Sequence, residues 1–188
     1  MIREVIVTTR SHAGEPHIAP MGATVIEDGY LLQPFRPSRT LENLSDSRVG
    51  VVNFTDDVRI FAGCVTHRRL PVDLAKATRI DCPRLAAALA HDEVSVERVE
   101  DDPQRAKFYC RTVHSESHGA FAGLNRAKAA VLEAAVLVSR LNMLSDEKID
   151  AEIAYLTIAV EKTAGPEELE AWGWMIEAIA DHRRKRAS

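Results

Sequence analysis

The segment QPFRPSRTLENL, residues 33–44, combines positive charge, hydroxyl groups and a helix start. Arg36 and Arg39 supply the charge, while Ser38 and Thr40 supply the hydroxyls. The first backbone N–H groups of a helix have no intrahelical partner and lie at the positive end of the helix dipole. Together these features predict a binding site for an anion such as phosphate. In a second interpretation, Thr40 only caps the helix and both arginines are solvated.

Two further segments place unusual residues within apparent strands. In HIAPMG, Pro20 and Gly22 interrupt a strand-like run, which predicts either a bulged edge strand or a close backbone approach to a flat ligand. In VVNFTDD, Asn53 interrupts an apolar strand near its end. A polar side chain there either caps a turn or contacts the polar edge of a ligand.

Two histidines, His114 and His118, are four residues apart and could bind a metal ion together if they lay on a helix. The neighbouring serines and Gly119 indicate a loop instead. No cysteine or acidic ligand stands at a supporting spacing, so the sequence predicts no metal site.

A third group, Asn125, Arg126 and Lys128, stands where a helix begins. An amide and two cations at a helix start are either a second anion-binding site or a solvated first turn. The chain carries no GxGxxG, GxxxxGK[ST], GxSxG or CxxC motif. No catalytic residue is therefore assigned from the sequence.

The elements that position these residues change in character along the chain. The first part alternates apolar and polar residues and turns at Asp28-Gly29, which is a hairpin signal. From Asn125 onward apolar residues recur with helical spacing, and Ala127, Val131 and Ala134 begin a continuous stripe. Strands are predicted over residues 2–9, 17–26, 30–35, 49–54, 94–99 and 105–113. Shorter helices are predicted over 41–47 and up to 62, a short helix or turn over 83–91, and longer helices from 125, 145 and 166.

Strands followed by helices predict an α+β fold. Short antiparallel strands hide their edges most simply in a closed or nearly closed barrel. The 188 residues carry a formal net charge of −4, which argues against a nucleic-acid-binding protein. Three cysteines without paired spacing indicate reduced thiols, and neither a signal peptide nor a membrane span is recognisable. We therefore expect a cytoplasmic protein with no membrane partner.

Several motifs, taken in order, resemble one known family. These are EVIVTT, HIAPMG, PFRPSRTLENL, VVNFTDD, FAGLNRAKAAVLEAAVLVSRL and AVEKTAG, which together span residues 4 to 180. The chain resembles the split-barrel flavoproteins found in methanogenic archaea and methylotrophic bacteria. The resemblance implies an FMN-binding split β-barrel, mostly antiparallel and six-stranded, over residues 1–122. It also implies a C-terminal helical segment over residues 123–188 that packs on the barrel or at a homodimer interface.

The same resemblance implies which residues contact FMN. It places the phosphate at Arg36, Ser38 and Thr40 with support from Asn43, and the flavin ring beside Met21 and Gly22. Asn53 would contact the polar edge of the flavin. Three residues would lie near the cofactor, from the same or the other subunit: Asn125, Arg126 and Lys128.

The function implied is that of a flavin-dependent oxidoreductase acting on a small-molecule substrate, with a link to C1 metabolism and tetrahydromethanopterin. An alternative is a flavin-binding carrier or sensor without turnover. A third interpretation, independent of the resemblance, is a helical interaction module that uses the apolar stripe from Ala127 to Leu141.

Overall fold

The computed structural model describes residues 1–68 and 72–187. Turn residues and changes of apolar period separate the elements, which follow one another as β1 (Ile2–Arg10), β2 (Pro16–Ile26), β3 (Gly29–Leu32), α1 (Arg39–Ser47), β4 (Val49–Phe54), α2 (Val58–Val65), β5 (Leu74–Lys76), β6 (Pro83–Leu85), β7 (Ala90–Glu100), β8 (Lys107–Ser117), α3 (Arg126–Val138), α4 (Asp146–Thr163) and α5 (Pro166–Ala187).

Six strands close into an antiparallel barrel in the order β1–β2–β3–β8–β7–β4, and β4 pairs back onto β1. The two remaining strands, β5 and β6, form a separate small sheet. The predicted α+β fold with a closed antiparallel barrel is confirmed. At the β2–β3 turn, a Cβ on Gly29 would lie 2.3 Å from the carbonyl oxygen of Cys110, and φ is +156°. Only glycine allows β3 to approach β8 this closely.

The barrel interior is apolar because alternate residues of each strand point inward. Val5 and Val7 of β1 are fully buried and pack with side chains of the facing strands. The buried members of this cluster are Val5, Val7, Ala23, Tyr30, Leu32, Leu44, Val52, Val94, Val96, Ala106, Phe108 and Cys110.

The chain divides into two compact units, one of residues 1–55 and 72–121 and one of residues 56–68 and 122–187. The first contains the barrel, and the second contains α2 to α5. The sequence alone suggested a single boundary after residue 122. In the structure the segment 56–68, which includes α2, also belongs to the helical unit. Within the described residues, no helix is sufficiently long and apolar to cross a membrane.

The core of the helical unit contains the apolar stripe. Ala127, Val131 and Ala134 of α3 are buried against Val160 of α4 and Met175 of α5. Because helices of the same unit cover the stripe, the interpretation of an exposed interaction module built on it is wrong. The helix starts expected at Asn125, Ser145 and Pro166 are confirmed, since Asn125 and Ser145 cap α3 and α4.

Three local predictions differ from the structure. Helix α1 begins at Arg39 and is capped by Ser38, not by Thr40. Of the short helix or turn predicted over residues 83–91, the turn is present, but it lies between the short strand β6 and the start of β7. Strand β8 continues to Ser117, so His114 lies within a strand and not within a loop.

Candidate functional site

The first turn of α1 is built around Ser38. Its Oγ accepts a hydrogen bond from the backbone N–H of Leu41 at 3.2 Å, and its carbonyl oxygen accepts one from Glu42. An N-cap hydroxyl that accepts in this way keeps its own hydrogen for another acceptor. The side chain can therefore cap the helix and donate to an anion at the same time.

A permanent cation and a titratable imidazole from two elements lie beside this turn. Arg39 is the first residue of α1, and its charge is felt by His17 near the start of β2. Burial lowers the pKa of His17, and the positive charge of Arg39 lowers it further. An anion placed between these two groups would relieve this repulsion. One carboxylate, that of the exposed Glu42, also lies in the first turn and partly offsets the positive charge.

Part of the neighbouring strand β2 has backbone groups without a partner strand along one edge. It pairs with β1 from Pro16 to Thr24, whereas β3 pairs only with Thr24–Ile26. Within the described strand pairings, residues 16–23 thus have a partner strand on one side only. Met21 and Gly22 lie on this stretch, and α1 packs against β2.

The bulge considered for HIAPMG does not occur, because the β1–β2 register runs without interruption from Thr24 to Pro16. The side chain of Met21 packs against the barrel core. A Cβ on Gly22 would lie 3.0 Å from Cγ2 of Ile2. The glycine therefore gives room to a side chain of β1.

Other residues predicted around the phosphate have internal partners. Arg36 forms an ion pair with Asp101, and its Nε donates to the carbonyl oxygen of Asp102 at 3.1 Å. The buried Asn43 donates from Nδ2 to Thr9 Oγ1 at 2.9 Å. Thr40 lies in the first turn but is only 2% exposed. Arg39, whose role was not assigned from the resemblance, is better placed than Arg36 to supply the charge.

Asn53 has a structural role instead of the expected flavin contact. Its side chain is fully buried, and Nδ2 donates to the carbonyl oxygen of Ile6 at 3.0 Å and to Thr8 Oγ1 at 3.1 Å. Its Oδ1 accepts from the backbone N–H of Leu85 in β6 at 2.8 Å. The amide joins β4, β1 and β6, and these bonds leave it unavailable to a ligand in this structure.

The predicted residues at the start of α3 belong to the helical unit. Asn125 accepts from the N–H groups of Ala127 and Lys128 and donates to the carbonyl oxygen of Thr163 at 2.9 Å. Lys128 Nζ lies 2.6 Å from Asp56 Oδ2, and this hydrogen bond raises the pKa of Lys128. Arg126 is exposed and forms no ion pair with the described residues. Helix capping therefore explains Asn125, and an ion pair explains Lys128, without a ligand.

A cluster of titratable residues that the sequence did not assemble lies across β7 and β8. His91 Nδ1 is 2.8 Å from His118 Nε2, and His91 Nε2 is 3.3 Å from Glu93 Oε1. Both His91 and Glu93 are fully buried. The spacing of His114 and His118 was visible in the sequence, but the two partners come from a strand more than twenty residues away. Only the β7–β8 register brings them together.

Glu93 is held as a carboxylate by backbone donors. Its oxygens accept from the N–H groups of Thr78, Arg79 and Ile80, the last two at 2.7 and 3.0 Å. Burial alone would raise the pKa of Glu93, but these amides and His91 hold it below its ordinary value. A carboxylate accepts only, so the tautomer of His91 that fits this site carries its proton on Nε2.

Two models of one protein family match this chain. Residues 3–119 match the N-terminal domain of the DUF447 family of proteins of unknown function, and residues 125–177 match the second domain of that family. The chain belongs to the DUF447 family. The family resemblance seen in the sequence motifs is thereby confirmed. A search of the curated proteins found no match.

Solved structures share the fold. An FMN-bound DUF447 protein of Methanosarcina mazei is 22% identical, with 94% of each chain covered and a TM-score of 0.80. BorF, the flavin reductase component of a bacterial two-component tryptophan halogenase, is 19% identical over 64% of this chain and 82% of its own, with a TM-score of 0.54. The 2-nitrobenzoate 2-nitroreductase of Pseudomonas fluorescens is 20% identical over 61% and 64%, with a TM-score of 0.53.

Proposed function

We propose that this DUF447 chain binds FMN, with the phosphate at the start of α1, and acts as a flavin-dependent oxidoreductase on a small molecule. The observation that carries the proposal is the convergence of the Ser38 hydroxyl, the α1 amides, Arg39 and His17 beside the open edge of β2. The FMN-bound relative from Methanosarcina mazei has the same fold over nearly the whole chain.

The chain residues have separate roles in this proposal. Ser38 and the first amides of α1 donate hydrogen bonds to the phosphate, and Arg39 neutralises its charge. The backbone of Met21 and Gly22 meets the edge of the flavin ring. The flavin supplies the redox chemistry, and the protein supplies binding and electrostatics. The placement of Asn125, Arg126 and Lys128 near the cofactor stays a prediction.

The phosphate site is tested by comparing FMN with riboflavin, which has the same ring and no phosphate. We expect the flavin-free chain to bind FMN at least tenfold more tightly in a fluorescence titration, because charge-assisted hydrogen bonds contribute roughly 1.5–3 kcal/mol each. Arg39→Gln and Ser38→Gly should weaken FMN binding and leave riboflavin binding unchanged. Glycine is tolerated as an N-cap, so Ser38→Gly removes the hydroxyl at small cost to the helix.

Arg36→Gln is the matched control, because Arg36 already pairs with Asp101 and should not change FMN affinity. His17 gives a second signal. A phosphate beside it favours its charged form, so FMN should raise the pKa of His17 measured by NMR, and riboflavin should not. Equal affinity for FMN and riboflavin, or a His17 pKa that FMN does not change, would show that the phosphate is not at α1.

Turnover separates the oxidoreductase from the alternative of a flavin carrier or sensor. We expect NADH or NADPH to bleach the oxidised-flavin absorption of the FMN-loaded chain under anaerobic conditions. Binding without reduction by either nucleotide would favour the carrier or sensor. The link to C1 metabolism and tetrahydromethanopterin stays a prediction from the family resemblance.

A further inference from the structure

Strand geometry gathers four metal-ligating side chains on one face of the β7–β8 pair. Residues 114 and 116 of β8 point to the same side because alternate residues of a strand share a face, and His118 follows directly after the strand. His91 of β7 lies opposite Glu116 in the register. We call His91, His114, Glu116 and His118 the β7–β8 histidine cluster.

The donor atoms of this cluster lie close together. One donor atom from each of His91, Glu116 and His118 lies within 4.8 Å of the others. His114 Nε2 is buried, has no hydrogen-bond partner among the described residues, and lies 3.6 Å from Glu116 Oε2. Glu116 Oε1 is 3.9 Å from His118 Nδ1. The carboxylate thus stands between two imidazoles, near a nitrogen that lacks a partner.

His91 is oriented as metal-binding histidines usually are. In such sites the second ring nitrogen donates to a carboxylate or a carbonyl group, which fixes the tautomer and the ring orientation. Here Nε2 of His91 faces Glu93, whose carboxylate is itself fixed by three backbone amides. This leaves the lone pair of Nδ1 directed into the cluster.

The distance between His91 and His118 shows how far their rings would have to move to bind one ion. Their rings are 4° from parallel with centroids 5.0 Å apart, while Nδ1 of His91 and Nε2 of His118 are 2.8 Å apart. The nitrogen edges therefore face each other and share a hydrogen bond. Two ligands at about 2.0–2.1 Å from a tetrahedral ion lie roughly 3.3 Å apart. An ion between them therefore requires the two nitrogens to separate by about 0.5 Å and both rings to turn so that their lone pairs meet at the ion. His118 follows the end of β8, where the chain leaves the sheet.

We propose that His91, Glu116 and His118 bind a divalent transition-metal ion of the Zn²⁺ class, with His114 as the nearest additional nitrogen ligand. Imidazole and carboxylate ligands suit this class, whereas Mg²⁺ prefers an all-oxygen site. The positive charge of Arg84 repels positive charge at His118 and therefore disfavours a cation there. Glu116 and Glu93 bring two negative charges to the same place. The sequence alone predicted no metal site. The proposed site does not depend on FMN binding.

The test is a calorimetric titration of the full chain with Zn²⁺ after removal of metal by chelation. We expect one ion per chain, with the same affinity in flavin-free and FMN-loaded protein. His118→Ala and Glu116→Gln should each weaken binding at least tenfold. Glu93→Gln should weaken it 10–100-fold although it does not touch the ion, because outer-shell partners have effects of this size. Circular dichroism melting would confirm that each variant is folded.

His12→Ala is the matched control, since His12 is an exposed histidine in the β1–β2 turn, outside the cluster. It should bind Zn²⁺ like the unmodified chain, and Mg²⁺ should not compete. The proposal is overturned if no ion binds in a one-to-one ratio, or if His118→Ala or Glu93→Gln binds as well as the unmodified chain. Equal loss with His12→Ala would likewise overturn it, because it would reveal scattered surface binding.

Discussion

At the scale of single residues, the barrel uses its buried polar side chains to fasten elements together. Asn53 links β4 to β1 and β6, and Thr8 Oγ1 donates to the carbonyl oxygen of Pro83 at 2.6 Å. Asn43 ties α1 to Thr9 in the same way. Buried polar groups are retained where each hydrogen bond is satisfied, because an unsatisfied group costs free energy. Two asparagines that suggested ligand contacts are therefore explained by the fold.

This assignment predicts separate effects on stability and on ligand binding. Asn53→Ala should lower the free energy of unfolding by about 2–3 kcal/mol, because it leaves the buried N–H of Leu85 without a partner and removes several hydrogen bonds. FMN affinity of the folded protein should stay unchanged. Urea denaturation and fluorescence titration measure the two quantities. The exposed Asn142→Ala should change neither, and a selective loss of FMN binding in Asn53→Ala would restore the flavin contact.

At the scale of elements, close approach between strands decides where glycine is required. Gly29 begins β3 where it passes the backbone of β8, and a Cβ there would meet Cys110 and Thr112 backbone atoms at 2.3 and 2.9 Å. At Gly173, within α5, a Cβ would meet no atom of the described residues within 4 Å, apart from its chain neighbours and the nearby backbone of its own helix. The same substitution should therefore have opposite effects at the two sites.

Gly29→Ala should lower the free energy of unfolding by about 2–4 kcal/mol, because backbone atoms cannot move aside without separating β3 from β8. Gly173→Ala should raise it by about 0.5–1 kcal/mol, because alanine loses less conformational entropy in a helix. Urea denaturation of both variants measures the two changes. A tolerated alanine at position 29 would mean that β3 and β8 are less closely paired than described.

The same scale shows which features could be predicted from the sequence. Helix starts at Ser145 and Pro166 depend on local capping chemistry, so they were predicted correctly. Thr40 was predicted to cap α1, but Ser38, two residues earlier, takes this role. The partners of His118 depend on cross-strand register, which no local pattern encodes. The fold was therefore more predictable than the site.

At the scale of the whole molecule, homodimer formation stays a prediction from the family resemblance, and the helical unit offers a surface for it. One face of α4 carries Ala151, Ala154, Tyr155 and Ile158, which recur at helical spacing and are all exposed. Tyr155 is 72% and Ile158 is 47% exposed. Contiguous exposed apolar side chains on a helix are typical of association surfaces, whereas scattered ones need no explanation.

We expect light scattering coupled to size-exclusion chromatography to give twice the mass of a single chain. Replacing Tyr155 and Ile158 together with aspartate should give a folded monomer, because two carboxylates at the centre of the face cannot be buried unpaired. Glu27→Lys, an exposed charge change in the β2–β3 turn and therefore outside the helical unit, should leave the dimer intact. A dimer that survives the double substitution would place the interface elsewhere. A monomeric unmodified chain that holds FMN would show that one subunit suffices to bind the cofactor.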